Sequence, residues 1–280
     1  MPELLLPSFS DPIEYVIVGE GPPVVFLHGA PGDLRTWIPV TAQLADRYRC
    51  ISYTQRWFGD RTWTSPGSAF GTESHAADLC DLVAALGLAP ASLVAWSYSG
   101  HVALLAALRR PDLFDRMLVY EPSVGTYVAD PAARSQMDAD AARMFPPLAE
   151  ALAQGDAQAV VRRLIDASGG PGWFDRQPAE RRAIHLASAP MMPLLMGGGA
   201  PPADLRAEDL AGLQIPITIA WGAETRDLFR LPSKAAAARL SLGDHFEVPG
   251  AGHLLPEADP VRFAKLVADW MARRPGVKPP

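Results

Sequence analysis

Leu93-Val94-Ala95-Trp96-Ser97-Tyr98-Ser99-Gly100 is the stretch whose reading decides the rest. Its first four residues form a short apolar run of the kind that fills a buried strand, and the alanine-rich segment after Gly100 has the composition of a helix. Ser97 therefore stands on the turn between them. A residue on such a turn takes strained backbone angles, and the residues two before and two after it have to be small for strand and helix to close together. Ala95 and Ser99 satisfy this around Ser97. The same test fails for Ser99, whose plus-two neighbour is His101. Ser97 is the candidate nucleophile, and a serine hydroxyl in that role needs a base to take its proton and donors to hold the oxyanion.

Upstream, Val24 to Gly32 reads VVFLHGAPG, an apolar run entering a glycine loop. Downstream, Val248 to Pro260 reads VPGAGHLLPEADP, with His253 in a glycine-rich loop after a strand signal. With these three pieces in this order, the chain resembles the α/β-hydrolase superfamily over nearly its whole length. That family usually has glycine on both sides of the turn, where this chain has Ala95 and Ser99 with Gly100 directly after.

The resemblance implies Ser97 as nucleophile and His253 as base. It also implies an oxyanion hole made by the N–H groups of Ala30 and Tyr98; Pro31 has no N–H to give. His28 is implied as a residue that shapes the loop. The acid is less direct. The commoner family position lies three residues after Gly222, and Thr225 occupies it. Some branches carry the acid at the end of the strand after the elbow helix, where Glu121 stands in LVYEPS, so Glu121 is favoured over Asp227 and Glu224.

The 280 residues are 49% hydrophobic, enough for one large α/β core with an insertion. A net charge of −6 without a basic run gives no electrostatic reason to expect a nucleic-acid partner or an anionic membrane. Cys50 and Cys80 lack metal or redox spacing and read as reduced core residues. No leader pattern or long apolar stretch is present, so a soluble, cytoplasmic protein is expected. No cofactor or metal motif is visible, the expected partner is a small-molecule substrate, and the oligomeric state is open.

In chain order, Ile13 to Val18 alternates like an edge hairpin strand, Val24 to Leu27 and Tyr48 to Tyr53 are continuous apolar strands, and a helical segment spans Trp37 to Asp46. Thr54 to Glu73 reads as a long loop, the kind that carries function. Ser74 to Leu86 is helical, and Arg116 to Tyr120 is a strand closed by Glu121-Pro122. The strand signal then vanishes: helical patches at Ala139 to Leu152, Ala157 to Ala167 and Pro178 to Ala187 predict a helical cap. Ile217 to Trp221 and His245 to Val248 resume the sheet, a last helix runs to Arg273, and the tail RPGVKPP is expected to fray. The expected fold is α/β, a doubly wound, mostly parallel sheet whose core is 1–122 and 214–280, with the cap at 123–213.

Trp57, Phe58 and Trp96 are the expected pocket residues, with Phe145, Trp173, Phe174, Met191, Met192 and Met196 able to add an apolar wall from the cap. The expected activity is serine hydrolysis of a small, largely apolar ester, thioester or lactone. Rival readings are a C–C bond hydrolase, a cofactor-free oxygenase or lyase, a proline-iminopeptidase-like peptidase suggested by HGAPG, and a non-catalytic ligand-binding protein.

Overall fold

The computed structural model describes residues 2–6 and 11–273; the tail expected to fray, 274–280, lies outside them. Among the described residues, eight strands form one sheet: β1 (Glu3–Leu4), β2 (Ile13–Val18), β3 (Pro23–Leu27), β4 (Arg49–Tyr53), β5 (Ala91–Trp96), β6 (Phe114–Tyr120), β7 (Ile217–Gly222) and β8 (Gly243–Val248). Their order is β1-β2-β4-β3-β5-β6-β7-β8, antiparallel where β2 meets β1 and β4, and parallel from β4 to β8.

The continuous Val, Ile and Leu runs explain the centre of this sheet. β5 and β7 are buried along their whole length, as parallel strands covered on both faces must be. At the edge, β8 alternates in exposure. The strand order reverses around β3 and β5, and their carboxyl ends therefore border a crevice, the usual place for a ligand in an open α/β sheet.

In chain order the helices are α1 (Ile38–Thr41), α2 (Thr72–Ala85), α3 (Tyr98–Arg109), α4 (Pro131–Ala153), α5 (Ala157–Gly169), α6 (Trp173–Arg176), α7 (Ala179–Ala187), α8 (Ala207–Ala211), α9 (Asp227–Ala237), α10 (Leu255–Ala258) and α11 (Pro260–Ala272). α2 packs on α3, while α1 packs on α11. The helix expected over Trp37 to Asp46 is instead a 3₁₀ turn, Leu34–Trp37, the single turn α1, and a run of mixed i+3 and i+4 bonds to Tyr48.

α4 through α8 fill the excursion between β6 and β7. α4 starts earlier than the sequence pattern predicts because Asp130 caps it, accepting from the Ala133 N–H at 2.8 Å, and Pro131 suits the first turn, where no N–H is needed. α5 is capped likewise by Asp156 on Ala159 N–H and stops at Gly170, whose φ of +103° suits only glycine. Leu148, Val160, Met191 and Leu210 of this insert belong to the same buried core as the sheet. Among the described residues, no helix is long and apolar enough to cross a membrane.

Candidate active site

Ser97 sits between β5 and α3 at φ 58°, ψ −123°. A non-glycine residue in such a conformation costs on the order of 1–3 kcal/mol and persists only where its surroundings hold it. Here the Ser97 N–H donates to the Tyr120 carbonyl of β6 at 2.9 Å, and the Ser97 carbonyl accepts from the Gly100 N–H at 2.8 Å. Gly100 has to be glycine: a Cβ there would come within 2.7 Å of Val119 Cγ1 and 2.9 Å of Pro122. The close approach of helix to strand that the resemblance assigns to the flanking positions is thus met one residue later.

Ser97 Oγ lies 2.9 Å from His253 Nε2, and His253 Nδ1 lies 2.6 Å from Glu121 Oε2. An ionised carboxylate only accepts, so the imidazole proton is on Nδ1 and Nε2 is left to accept from the serine. Glu121 is fully buried at the end of β6, itself at φ 50°. Its Oε1 accepts from the Gly222 N–H at 2.7 Å and its Oε2 from the Thr225 hydroxyl at 2.8 Å. Together with His253, these donors compensate a buried charge that would otherwise be costly. Thr225, at the commoner acid position, donates to Glu121 from there. Asp227 is half-buried and paired with Arg230, and Glu224 is exposed. The Phe229 ring stacks on the His253 ring at 3.6 Å between centroids, and Trp96 Nε1–H donates to the His253 carbonyl at 3.0 Å.

Tyr98 opens α3, so its amide is one of the first-turn N–H groups without an intrahelical acceptor, at the positive end of the helix dipole. Ala30 borders the same cavity as Ser97, Tyr98 and His253. His28 shapes the Ala30 loop: Nδ1–H donates to the Gly29 carbonyl at 2.9 Å, and Nε2 accepts from the Gln55 N–H at 3.1 Å. Burial pushes the His28 pKa down to about 4, in keeping with a neutral ring. Gln55 Nε2 also donates to the His28 carbonyl and to Ser99 Oγ, which ties the loop to α3.

From the other side, His185 Nδ1–H donates to the Pro31 carbonyl at 2.9 Å and the Ser188 hydroxyl to the Gly32 carbonyl at 3.0 Å. His185 Nε2 is 3.1 Å from the buried Glu257. Burial works against the His185 cation, but the Glu257 carboxylate outweighs it and raises the pKa.

Beside Ser97 opens a cavity of about 540 Å³ whose lining holds no Asp, Glu, Lys or Arg. Its walls include Phe70, Met144, Leu148, Leu194, Leu228 and Phe229. The expected lining residues Trp57, Phe58 and Trp96 are not among them. Trp57 and Phe58 stand one layer behind, against Phe70 at 5.7 and 5.9 Å, and Trp96 faces Trp37 and the His253 ring.

The sequence marks aromatic residues but not which of two stacked layers meets the void. Of the insert residues, Phe145 and Met196 line the cavity, while Phe174, Met191 and Met192 are core. Tyr98 lines it too, with its hydroxyl donating to His75 Nδ1 at 2.8 Å, since His75 Nε2–H is committed to the Arg56 carbonyl. Among the described residues, no group of three or more His, Cys, Asp or Glu could hold a metal ion.

The sequence matches the model of the Alpha/beta hydrolase family over residues 24–266. It is 30% identical over 109 residues to the soluble epoxide hydrolase of Corynebacterium sp., covering 39% of this chain and 37% of that protein. The chain thus aligns with little more than a third of the length of the curated relatives it matches. Among solved structures, the enol-lactonase from Burkholderia xenovorans superposes with a TM-score of 0.76 at 18% identity, over 97% of this chain and 100% of that one. A thermophilic esterase from Thermogutta terrifontis gives 0.74 at 21% identity, over 97% and 98%. At such identities the structural likeness is one of fold. The family match spans most of the sequence and the strand order and parallel centre agree with it: the chain belongs to the alpha/beta hydrolase family.

Proposed function

We propose that this protein is a serine hydrolase that cleaves a small, largely apolar ester, thioester or lactone through an acyl-enzyme. The observation that carries the reading is the unbroken hydrogen-bond chain from Glu121 through His253 to Ser97, ending at the wall of an uncharged cavity. In the forward step Ser97 Oγ attacks the carbonyl carbon while His253 Nε2 takes the hydroxyl proton. Glu121 keeps the imidazole in the Nδ1–H tautomer and stabilises the imidazolium without taking its proton.

The oxyanion develops toward the amides of Ala30 and Tyr98, donors that need no reorganisation because the loop and the helix end are already fixed. The imidazolium then gives its proton to the leaving group. In the second half, water loses a proton to His253 as it attacks the acyl carbon, and the bond to Ser97 Oγ then breaks as the imidazolium returns that proton to it, freeing the acid and restoring the serine hydroxyl. The names of the structural neighbours, an enol-lactonase and an esterase, fit this bond class.

The test is intact-mass analysis after treatment with a fluorophosphonate. One adduct is expected on the wild type and none on Ser97→Ala. Ser99→Ala should still be labelled, although it cuts the link to Gln55 and so slows turnover. A wild-type protein that takes no label, or a Ser97→Ala variant that takes as much, removes the reading.

A further inference from the structure

The loop that carries Ala30 is held in two halves by two different parts of the chain. Its first half is bound from the sheet side, by the His28 ring on Gly29 and by Gln55, which in turn reaches Ser99 of α3. Its second half is bound from the insert. His185 stands in the last turn of α7 and Ser188 follows three residues later, the spacing that puts two side chains on one face of a helical turn. His185 Nδ1–H donates to the Pro31 carbonyl and the Ser188 hydroxyl to the Gly32 carbonyl. The Ser188 oxygen also accepts from the Gly59 N–H at 3.0 Å, which fastens the long loop after β4 to the same point. Both side chains are fully buried, and neither is among the residues that line the apolar cavity, so neither meets a substrate held there. Behind His185, Glu257 of α10 lies 3.1 Å from Nε2, and Arg181 of α7 lies 3.4 Å from Glu257. A carbonyl and a carboxylate are both acceptors, so a proton on each ring nitrogen answers both, and the bond to Pro31 is charge-assisted.

We infer that His185 and Ser188 are positioning residues for the proposed oxyanion hole: they fix the two carbonyls that follow Ala30 and so keep its N–H aimed at the developing oxyanion. The inference rests on the serine-hydrolase reading and deepens it, since it gives the insert a part in the chemistry besides walling the cavity. Ala30 stands between the two anchored halves of its loop. An oxyanion donor stabilises the transition state only while it is aimed at the place where charge develops, and a misplacement of about 1 Å costs on the order of 10²-fold. Without the anchors from the insert, the second half of the loop is free to turn and takes the donor with it. Acylation and deacylation both pass through an oxyanion at the same two amides, so both slow together. A side chain that only filled space would change stability or the fit of the acyl chain and leave the rate of each intact centre as it was.

The experiment measures kcat and KM on p-nitrophenyl acetate and p-nitrophenyl hexanoate, each rate divided by the fraction of protein that a fluorophosphonate labels at endpoint. His185→Phe keeps a ring and removes both polar contacts, His185→Asn keeps an amide N–H near the place of Nδ1, and Ser188→Ala removes a single hydroxyl. For each labelled serine, kcat should fall by about 10- to 100-fold in His185→Phe and by about three- to tenfold in Ser188→Ala, less than the loss of an oxyanion donor outright. The loss should be equal on the two esters with KM within about threefold of wild type, the signature of an interaction made in the transition state. His185→Asn should recover much of what His185→Phe loses. A Ser188→Ala rate per labelled serine within about twofold of wild type overturns the inference, whether or not His185→Phe folds. So does a loss that appears in KM or differs between acetate and hexanoate, which would make these side chains part of the cavity's shape. His185→Asn no faster than His185→Phe overturns it as well. A wild type that takes no label overturns the underlying serine reading, and this inference with it.

Discussion

Glu121 is a carboxylate on which three donors converge, from Gly222, Thr225 and His253. Replacing a triad acid by its amide typically costs on the order of 10⁴ in kcat, because the imidazole is left in the wrong tautomer. Glu121→Gln should lose a large part of that factor on a p-nitrophenyl ester with its fold intact. Asp227→Asn breaks only a partly exposed pair with Arg230, of the sort worth up to about 1 kcal/mol, and should stay within about tenfold of wild type. Thr225→Val should fall between them, since it removes one of three donors. The reverse ranking would move the acid to the loop after β7.

Much of this centre was legible beforehand. Ser97 could be chosen over Ser99 from the size of His101, and His253 from its glycine loop, because backbone strain and reach are properties of short sequence. Thr225 as a partner of Glu121 was not legible: that contact joins residues 104 apart, and nothing local marks a threonine as a donor to a distant carboxylate. The same holds for Phe70 and Leu228, ordinary apolar residues whose position on the cavity wall is decided by the layer behind them.

At the scale of elements, α7 and the turn after it hold the Ala30 loop from outside through His185 and Ser188. The buried pair of His185 with Glu257, flanked by Arg181, has a definite pH signature. Burial raises the Glu257 pKa, but His185 and Arg181 outweigh it and bring it below 4.5. Its stabilisation is present above 4.5 and fades as pH falls through the depressed value. The His185 pKa is raised above 6.5, so its share is present below 6.5 and fades as pH rises through the elevated value. Glu257→Gln should therefore lower Tm most between about pH 4.5 and 6.5, and less in alkaline buffer, where His185 has lost its proton. Removing one partner of a buried pair costs on the order of 3 kcal/mol at its largest. A Tm difference that is flat with pH would mean the pair is not ionised as described. The strands and most helices here followed from periodicity and caps. The short α1 did not: Trp37, where the expected helix starts, closes the preceding 3₁₀ turn instead and packs on Phe26 and Phe263, a tertiary contact that local propensity does not report.

For the whole molecule, the insert between β6 and β7 shares the sheet's core and is latched to it. Asp140 of α4 pairs with Arg226, accepts the Leu228 N–H at 3.0 Å, and Arg226 in turn reaches the Ala167 carbonyl of α5. Asp140→Ala frees three N–H donors at once, two of Arg226 and that of Leu228, and should cost about 1–3 kcal/mol. In a calorimeter that is a Tm lower by roughly 2–4 °C for each kcal/mol, and an unchanged Tm would show the latch to be idle. The chain order also bears on how the proposed centre is assembled. Ser97 and Glu121 are synthesised early, but the imidazole that joins them lies 156 residues beyond the serine, after β8. Closing contacts this distant in sequence carries a loop-entropy cost that local contacts do not. On the serine-hydrolase reading, a fragment that ends before β8 keeps Ser97 and Glu121 but lacks His253, and should show no hydrolysis of a p-nitrophenyl ester.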